Sequence, residues 1–309
     1  MESIEKEQVK TTVPDLDVDF CVMLDCTGSM GSYIEMSRNK IKDIIKQVKE
    51  QYSKSKVRVA IVAYRDVQDN NRFEVFEFSE DVDKAKTFLD GLVADGGGDT
   101  PEDVNGGFQK VLYELDWKNP VRTLFHVADA PCHGNKFHDC DDDHPDGHMS
   151  DKPWKQIFSD LVEKGIDYSF LKITSSTDKM FELFKQMVNE FGPDDIGFTQ
   201  ETLDVPVGSN YLEEDFLCDY KCEKMMFCAT EREDLAMDLC NEDERSVPVR
   251  SKELKECAET AYANIITSKI SASYAKKVEK VITRDTAVKP EIESETKTGF
   301  MSKISSIFK

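Results

Sequence analysis

Apolar residues along this chain follow two spacings, and segments of the two kinds alternate. Short runs rich in β-branched residues predict buried strands. Four such runs occur, at residues 18–24, 57–64, 121–129 and 166–174. A fifth run, FEVFEF at residues 73–78, interleaves polar residues and predicts a strand at a sheet edge. Elsewhere apolar residues recur at helical spacing. The predicted helices cover residues 34–52, 81–92, 101–115, 154–164 and 178–191.

This alternation of strands and helices is typical of α/β proteins with a mostly parallel sheet. We predict a doubly wound, mostly parallel open sheet with helices on both faces, plus a C-terminal helical extension. A 3-2-1-4-5 strand order would make the first and fourth strands neighbours. The predicted segments are a polar N-terminal segment at residues 1–14, the α/β domain at 15–198, a mostly helical extension at 199–285 and a flexible tail at 286–309.

The tail ends in FMSKISSIFK, which predicts a short amphipathic helix. Its apolar residues fall on one stripe, which is formed by Phe300, Met301, Ile304, Ile307 and Phe308. Such a helix could dock on its own domain, bind a partner or lie on a membrane surface. The few lysines and the acidic approach to the helix disfavour lipid binding.

Charge and cysteine content narrow the function classes. The formal net charge of −21 repels nucleic acid, so we predict no nucleic-acid partner. The N-terminal residues MESIEKEQVK lack the apolar core of a secretion signal. The nine cysteines therefore predict reduced thiols in a cytoplasmic protein. No apolar run approaches the roughly 18 to 20 residues that a membrane-spanning helix needs.

Oxygen-bearing side chains cluster where the predicted strands end. Asp25, Thr27 and Ser29 follow the first strand, Thr100 lies in a glycine-rich loop, and Asp129 ends the fourth predicted strand, at residues 121–129. In open parallel sheets, ligands bind at the carboxyl ends of the strands. Oxygen ligands suit a hard cation such as Mg²⁺ or Mn²⁺. The alternative is that these groups only cap the helix that follows.

The same residues carry a resemblance to a known family. DCTGSM resembles the Asp-x-Ser/Thr-x-Ser signature of a von Willebrand factor A (vWA) domain, and DGGGDTPED and HVADAP resemble its other two metal-site loops. This resemblance implies a metal-ion-dependent adhesion site. It implies that Thr27, Ser29 and Thr100 offer hydroxyl oxygens to the ion and that Asp25 and Asp129 act directly or through water. It also implies a protein partner that supplies an Asp or Glu carboxylate.

A narrower resemblance concerns the sub-type. Residues 63–81 and 128–147 resemble the version of the domain that some protists join to an alpha-kinase. No kinase-sized segment with a glycine loop follows residue 200, so we expect no kinase domain in this chain. Neither a Ser-His-Asp order nor a G-x-S-x-G elbow occurs, and we predict a binding module rather than an enzyme.

A loop rich in histidine, cysteine and aspartate follows Asp129. Mixed thiol and imidazole ligands suit Zn²⁺ and predict an accessory metal site, although the irregular spacing also fits an ordinary polar loop. The candidate ligands are Cys132, His133, His138, Cys140, His144 and His148. One alternative function is metal-dependent hydrolysis, with His133 as general base. Another is a regulatory scaffold that acts through the C-terminal tail.

Overall fold

The computed structural model describes residues 15–192, 196–202 and 256–283. The predicted segment 1–14 and the tail with its amphipathic helix lie outside the described residues, as does most of the extension.

Six strands form one sheet in the order β3-β2-β1-β4-β5-β6. They are β1 (Val18–Asp25), β2 (Val57–Tyr64), β3 (Phe73–Ser79), β4 (Val121–Ala128), β5 (Asp167–Lys172) and β6 (Phe198–Thr202). Neighbouring strands are parallel, except for the antiparallel edge pair β2 and β3. The predicted fold class and edge strand are confirmed, and β1 and β4 are neighbours, as in the 3-2-1-4-5 order considered above. Strand β6 was not predicted from the sequence.

Helices cover both faces of the sheet. They are α1 (Gly31–Gln51), α2 (Val82–Gly91), α3 (Val104–Gln109), α4 (Trp154–Glu163), α5 (Asp178–Asn189) and α6 (residues 256–283), and a π-helical turn, Lys110–Glu114, continues α3. Side chains of β1 alternate between the two faces. Phe20 and Leu24 pack with α1, α2 and α6, whereas Cys21 and Met23 pack with α3, α4 and α5. This period of two is what a strand buried on both faces requires.

Helix α6 packs beside α1, in the same direction. The Ser37 hydroxyl lies 2.9 Å from the Tyr262 hydroxyl. Further along both helices, the rings of Tyr52 and Tyr274 stack with 3.9 Å between their centroids. Ile270 of α6 is fully buried in the same core cluster. The described part of the predicted extension therefore contributes to the core of the α/β domain.

A histidine in β4 is buried between two tyrosines. His126 has an exposed fraction of 0%. Its Nε2 lies 2.8 Å from the Tyr64 hydroxyl, and its Nδ1 lies 2.9 Å from the Tyr168 hydroxyl. Burial lowers the pKa of His126 from 6.5 to about 3. In the folded protein the imidazole therefore stays neutral at a pH near 6, where the same side chain becomes protonated in the unfolded chain.

Acidification should destabilise the protein through His126. Below the ordinary pKa of 6.5, His126 binds a proton in the unfolded chain but not in the folded protein. The free energy of unfolding therefore falls as the pH decreases toward 3. Between pH 7 and pH 5 this contribution amounts to about 2 kcal/mol. The measurement is urea unfolding of wild type and His126→Gln at pH 7, 6 and 5. Glutamine stays neutral, so the difference between the two unfolding free energies should change by that amount; a constant difference would contradict the assignment.

Candidate functional site

Asp25 and Asp129 lie at the same edge of the sheet because β1 and β4 are parallel neighbours. The register pairs Leu24 with Val127, so both strands end at the same level. Burial and the nearby charge of Asp129 together raise the pKa of Asp25 from 3.8 to about 7. Two carboxylates therefore repel each other at this edge.

Asp25 organises the turn that follows β1. Its Oδ1 accepts hydrogen bonds from the Thr27 backbone N–H (2.9 Å) and from the Thr27 hydroxyl (2.7 Å). Its Oδ2 is buried and has no hydrogen-bond partner among the described residues. No side chain caps the 3₁₀ turn Gly28–Met30 or α1. Helix capping therefore accounts neither for the Asp25 carboxylate nor for the hydroxyls of Thr27 and Ser29.

The glycine-rich loop packs directly onto this turn. The Gly28 N–H donates to the Gly96 carbonyl (3.3 Å), and Gly97 adopts a φ of +81°. A Cβ at Gly97 would lie 2.9 Å from Glu102 Oε1 and 3.4 Å from Thr27 Cβ. A side chain at this position would therefore collide with the site, which explains why glycine is needed here.

The loop after β4 completes the edge. The Glu102 N–H donates to the Pro131 carbonyl at 2.9 Å, and Glu102 and Cys132 form a parallel bridge. Three loops at this edge of the sheet are thus joined by backbone hydrogen bonds. Ser29 and Thr100 lie exposed on the first two of these loops, while Asp129 is half-buried on the third.

Glu102 lies at the candidate site, although it falls in the first turn of the helix predicted at residues 101–115. Asp103 does cap α3, because its Oδ1 accepts the Gly106 N–H at 2.9 Å. Glu102 instead turns inward, with an exposed fraction of 4%. Burial, with the charges of Asp25 and other carboxylates, raises the pKa of Glu102 from 4.5 to about 10. Its place two residues after Thr100 is the signal that could have identified it.

These groups fit a hard divalent cation. Three carboxylate oxygens at this edge are buried without a hydrogen-bond partner in the described part of the chain: Asp25 Oδ2, Glu102 Oε2 and Asp129 Oδ1. Leaving such atoms unpaired is costly, and bringing like charges together raises the cost. Carboxylate and hydroxyl oxygens are the ligands that Mg²⁺ and Mn²⁺ prefer.

The histidine-rich loop is organised around Asp142, which the sequence analysis did not single out. The Asp142 side chain is fully buried. It accepts hydrogen bonds from the backbone N–H groups of Gly134 and His144, each at 2.7 Å. It also lies 2.8 Å from His133 Nδ1 and 3.1 Å from His138 Nε2. These contacts fix the fold of the loop.

The six candidate zinc ligands take separate places in this loop. Cys132 is buried in the core beside α5, and the Cys140 thiol lies 3.2 Å from His138 Nδ1. The His144 ring packs between the rings of His133 and His148. Among the described residues, one group of three potential ligands has all its ligand atoms within 4.8 Å of one another, and it consists of Asp66, Asp99 and His133.

Two carboxylates hold the His133 ring. Its Nε2 lies 2.7 Å from Asp66 Oδ1, and its Nδ1 faces Asp142. Burial lowers the pKa of His133, but the hydrogen bonds to Asp66 and Asp142 outweigh it and raise the pKa to about 9. The ion-free protein therefore carries His133 as an imidazolium at neutral pH.

Part of the chain is similar to known proteins. Residues 19–140 match the family model of the von Willebrand factor A domain. The chain contains a vWA domain. The alpha-protein kinase vwkA of Dictyostelium discoideum is 32% identical over 196 residues, which cover 60% of this chain and 31% of that protein. The crystal structure of the SpRpn10 VWA domain superposes with a TM-score of 0.41 at 12% identity and covers 65% of this chain and 94% of that domain.

The predicted resemblance to a vWA-containing alpha-kinase protein is thus confirmed. Because the chain spans about a third of the length of vwkA, the kinase activity in that name belongs to that protein. The presence of a vWA domain supports a role of this chain as a protein-interaction module. Domains of this family often bind a divalent metal. Within the described ranges, every helix is too short or too polar to cross a membrane.

Proposed function

We propose that this vWA domain is a divalent-cation-dependent protein-interaction module. In this proposal Asp25, Thr27, Ser29, Thr100 and Asp129 would hold Mg²⁺ or Mn²⁺, and a partner would supply an Asp or Glu carboxylate. The observation that carries it is the set of buried carboxylate oxygens at the edge where the three loops meet, which have no hydrogen-bond partner among the described residues.

In this proposal each residue of the site makes a different contribution to ion binding. Asp25 fixes the Thr27 hydroxyl through its Oδ1 and keeps its Oδ2 available. Ser29 and Thr100 are exposed and so can contribute from the solvent side. Glu102 adds a third carboxylate next to Thr27. When bound, the ion supplies the positive charge that these carboxylates lack and a place for an oxygen ligand from outside.

The rest of the surface would restrict the choice of partner. A net charge of −21 favours a partner whose face around the contributed carboxylate is neutral or basic. One carboxylate contact adds little selectivity, so the loops around the site must distinguish among partners. We further propose a cytoplasmic location, which the buried free thiols of Cys21, Cys26 and Cys132 support.

The hydrolase alternative has less support. A general base near neutral pH needs a free ring nitrogen and a pKa close to 7. Both nitrogens of His133 contact carboxylates, and its pKa is raised to about 9. These properties weigh against His133 as the base in the ion-free protein.

Selection of displayed random peptides on the full chain tests the proposal. Peptides would be bound in Mg²⁺, eluted with EDTA and sequenced. We expect the eluted peptides to share an Asp or Glu, and changing that residue to Asn or Gln should abolish their binding. Asp25→Ala should retain none of them. Asp146→Asn removes an exposed acid from the neighbouring loop and should retain them all.

Two results would reject the interaction mechanism. One is a set of peptides that bind equally well in EDTA, and the other is a set that binds Asp25→Ala as well as wild type. Circular dichroism of each variant would show that lost binding does not reflect lost folding.

A further inference from the structure

Beside the vWA site, a second set of metal-binding groups lies where three loops approach each other. Asp66 comes from the loop after β2, Asp99 from the glycine-rich loop and His133 from the loop after β4. One ligand atom from each lies within 4.8 Å of the others. We propose that these three residues form a separate site for a transition-metal ion of the Zn²⁺ class.

The His133 ring is oriented as in a metal site. Its Nδ1 lies 2.8 Å from Asp142, whose side chain is fully buried. Two backbone N–H groups hold that carboxylate in place. Histidine ligands of metals usually have their second nitrogen fixed by a carboxylate in this way. Here the arrangement leaves Nε2 facing Asp66 Oδ1 at 2.7 Å, inside the group of three.

One atom of this group and one atom beside it lack hydrogen-bond partners within the described residues. Asp99 Oδ1 and His144 Nε2 are both buried without a hydrogen bond among the described residues. The His144 ring packs edge-on against His133, with 4.9 Å between the ring centroids. Buried polar atoms of native proteins are seldom left unpaired. An ion at Asp99 and His133 would satisfy the carboxylate oxygen and would bring its charge beside the free nitrogen of His144.

The glycine-rich loop and the loop after β2 are already tied together at this point. Asp69 Oδ2 accepts the N–H groups of Asp66 and Gly97, both at 3.0 Å. A Cβ at Gly96 would lie 2.2 Å from the same oxygen. The ligand positions of Asp66 and Asp99 therefore rest on a constrained backbone, as a preorganised site requires.

The ligand atoms of this site differ from those of the proposed vWA site, and the two sets favour different ions. Imidazole suits zinc and related metals, whereas an all-oxygen set suits Mg²⁺. The two sites share no ligand, because the vWA set takes Thr100 and this site takes the neighbouring Asp99. The thiols of Cys132 and Cys140 do not belong to the group of three.

Calorimetric titration of Zn²⁺ into the full chain, stripped with EDTA and then saturated with Mg²⁺, tests the proposal. We expect affinity to fall about tenfold or more in His133→Gln and in Asp66→Asn, and by about 10- to 100-fold in Asp142→Asn, which removes the carboxylate that orients the His133 ring. Cys140→Ser and His148→Gln alter the same loop outside the group and should bind Zn²⁺ like wild type. Mg²⁺ titration of His133→Gln should be unchanged, which separates this site from the vWA site.

The absorption spectrum of the Co²⁺-loaded protein identifies the ligands. Nitrogen and oxygen ligands give weak visible bands that His133→Gln should remove. Strong sulfur-to-cobalt charge transfer that persists in His133→Gln would overturn the proposal, because the cysteines of the chain would then be the ligands. Absence of Zn²⁺ binding would also overturn it and would leave His133 as an imidazolium paired with two carboxylates. Urea unfolding in EDTA verifies that each variant folds.

Discussion

Replacing Asp25 with asparagine is expected to abolish the binding of Mg²⁺ and Mn²⁺ while leaving the fold intact. Asparagine keeps an oxygen that can accept both hydrogen bonds of Thr27, so the turn after β1 should persist. The variant loses the negative charge and the second oxygen, which is buried without a partner in the described part of the chain. Calorimetric titration of each ion into wild type and variant measures the effect, with Asp146→Asn as the control. Mg²⁺ heats that match wild type would contradict the site.

The same substitution should not destabilise the ion-free protein. Burial and Asp129 raise the folded-state pKa of Asp25 above its ordinary value. A raised carboxyl pKa means that ionised Asp25 opposes folding at neutral pH. Removing that charge should therefore leave the unfolding free energy without Mg²⁺ equal to or above that of wild type. Mg²⁺ should then stabilise only the wild-type protein, because ligand binding to the folded state alone raises its stability.

The parts of the fold that the sequence predicted are those with a strong local pattern. Val57–Tyr64 and Val121–Ala128 are β-branched runs buried on both faces, and little else fits such runs. Strand β6, Phe198–Thr202, has only five residues, mostly polar and half-buried at the sheet edge. Its pattern does not differ from that of a loop. The π-helical turn after α3 likewise has no local signal, since it depends on how the helix packs.

The site was predicted where chemistry and strand ends coincide and missed where contacts are long-range. Asp25 and Asp129 could be placed because parallel neighbours end at one edge. Asp66 and Asp142 lie in loops whose course depends on hydrogen bonds between segments that are distant in sequence. Clustering in sequence was also a poor guide to clustering in space. Cys132 follows Asp129 closely, yet its pairing with Glu102 turns the thiol into the core.

Two aspartates of β1 differ in their hydrogen bonds, and we expect one of them to contribute to stability and the other to ligand binding. Asp19 and Asp25 both have an exposed fraction of 0% and lie near opposite ends of the same strand. Both Asp19 oxygens are paired. They accept from the Arg58 guanidinium at 2.8 and 2.7 Å and from the backbone N–H groups of Lys118 and Asn119 at 2.8 and 2.9 Å. Both oxygens of Asp19 thus accept hydrogen bonds, whereas Oδ2 of Asp25 has no hydrogen-bond partner among the described residues.

Asp19→Ala is accordingly expected to lower the unfolding free energy by about 3–5 kcal/mol, the usual cost of removing one partner of a buried ion pair. It leaves the mostly buried Arg58 side chain, 15% exposed, without its carboxylate, and it frees two backbone donors. Urea unfolding at pH 7 measures the change. Asp15→Ala removes an exposed partner of Lys54 and should cost at most about 0.5 kcal/mol. A loss below about 1 kcal/mol in Asp19→Ala would mean that water replaces the carboxylate. Where the variant still folds, its Mg²⁺ affinity should equal that of wild type, because Asp19 lies at the end of β1 away from the proposed metal site.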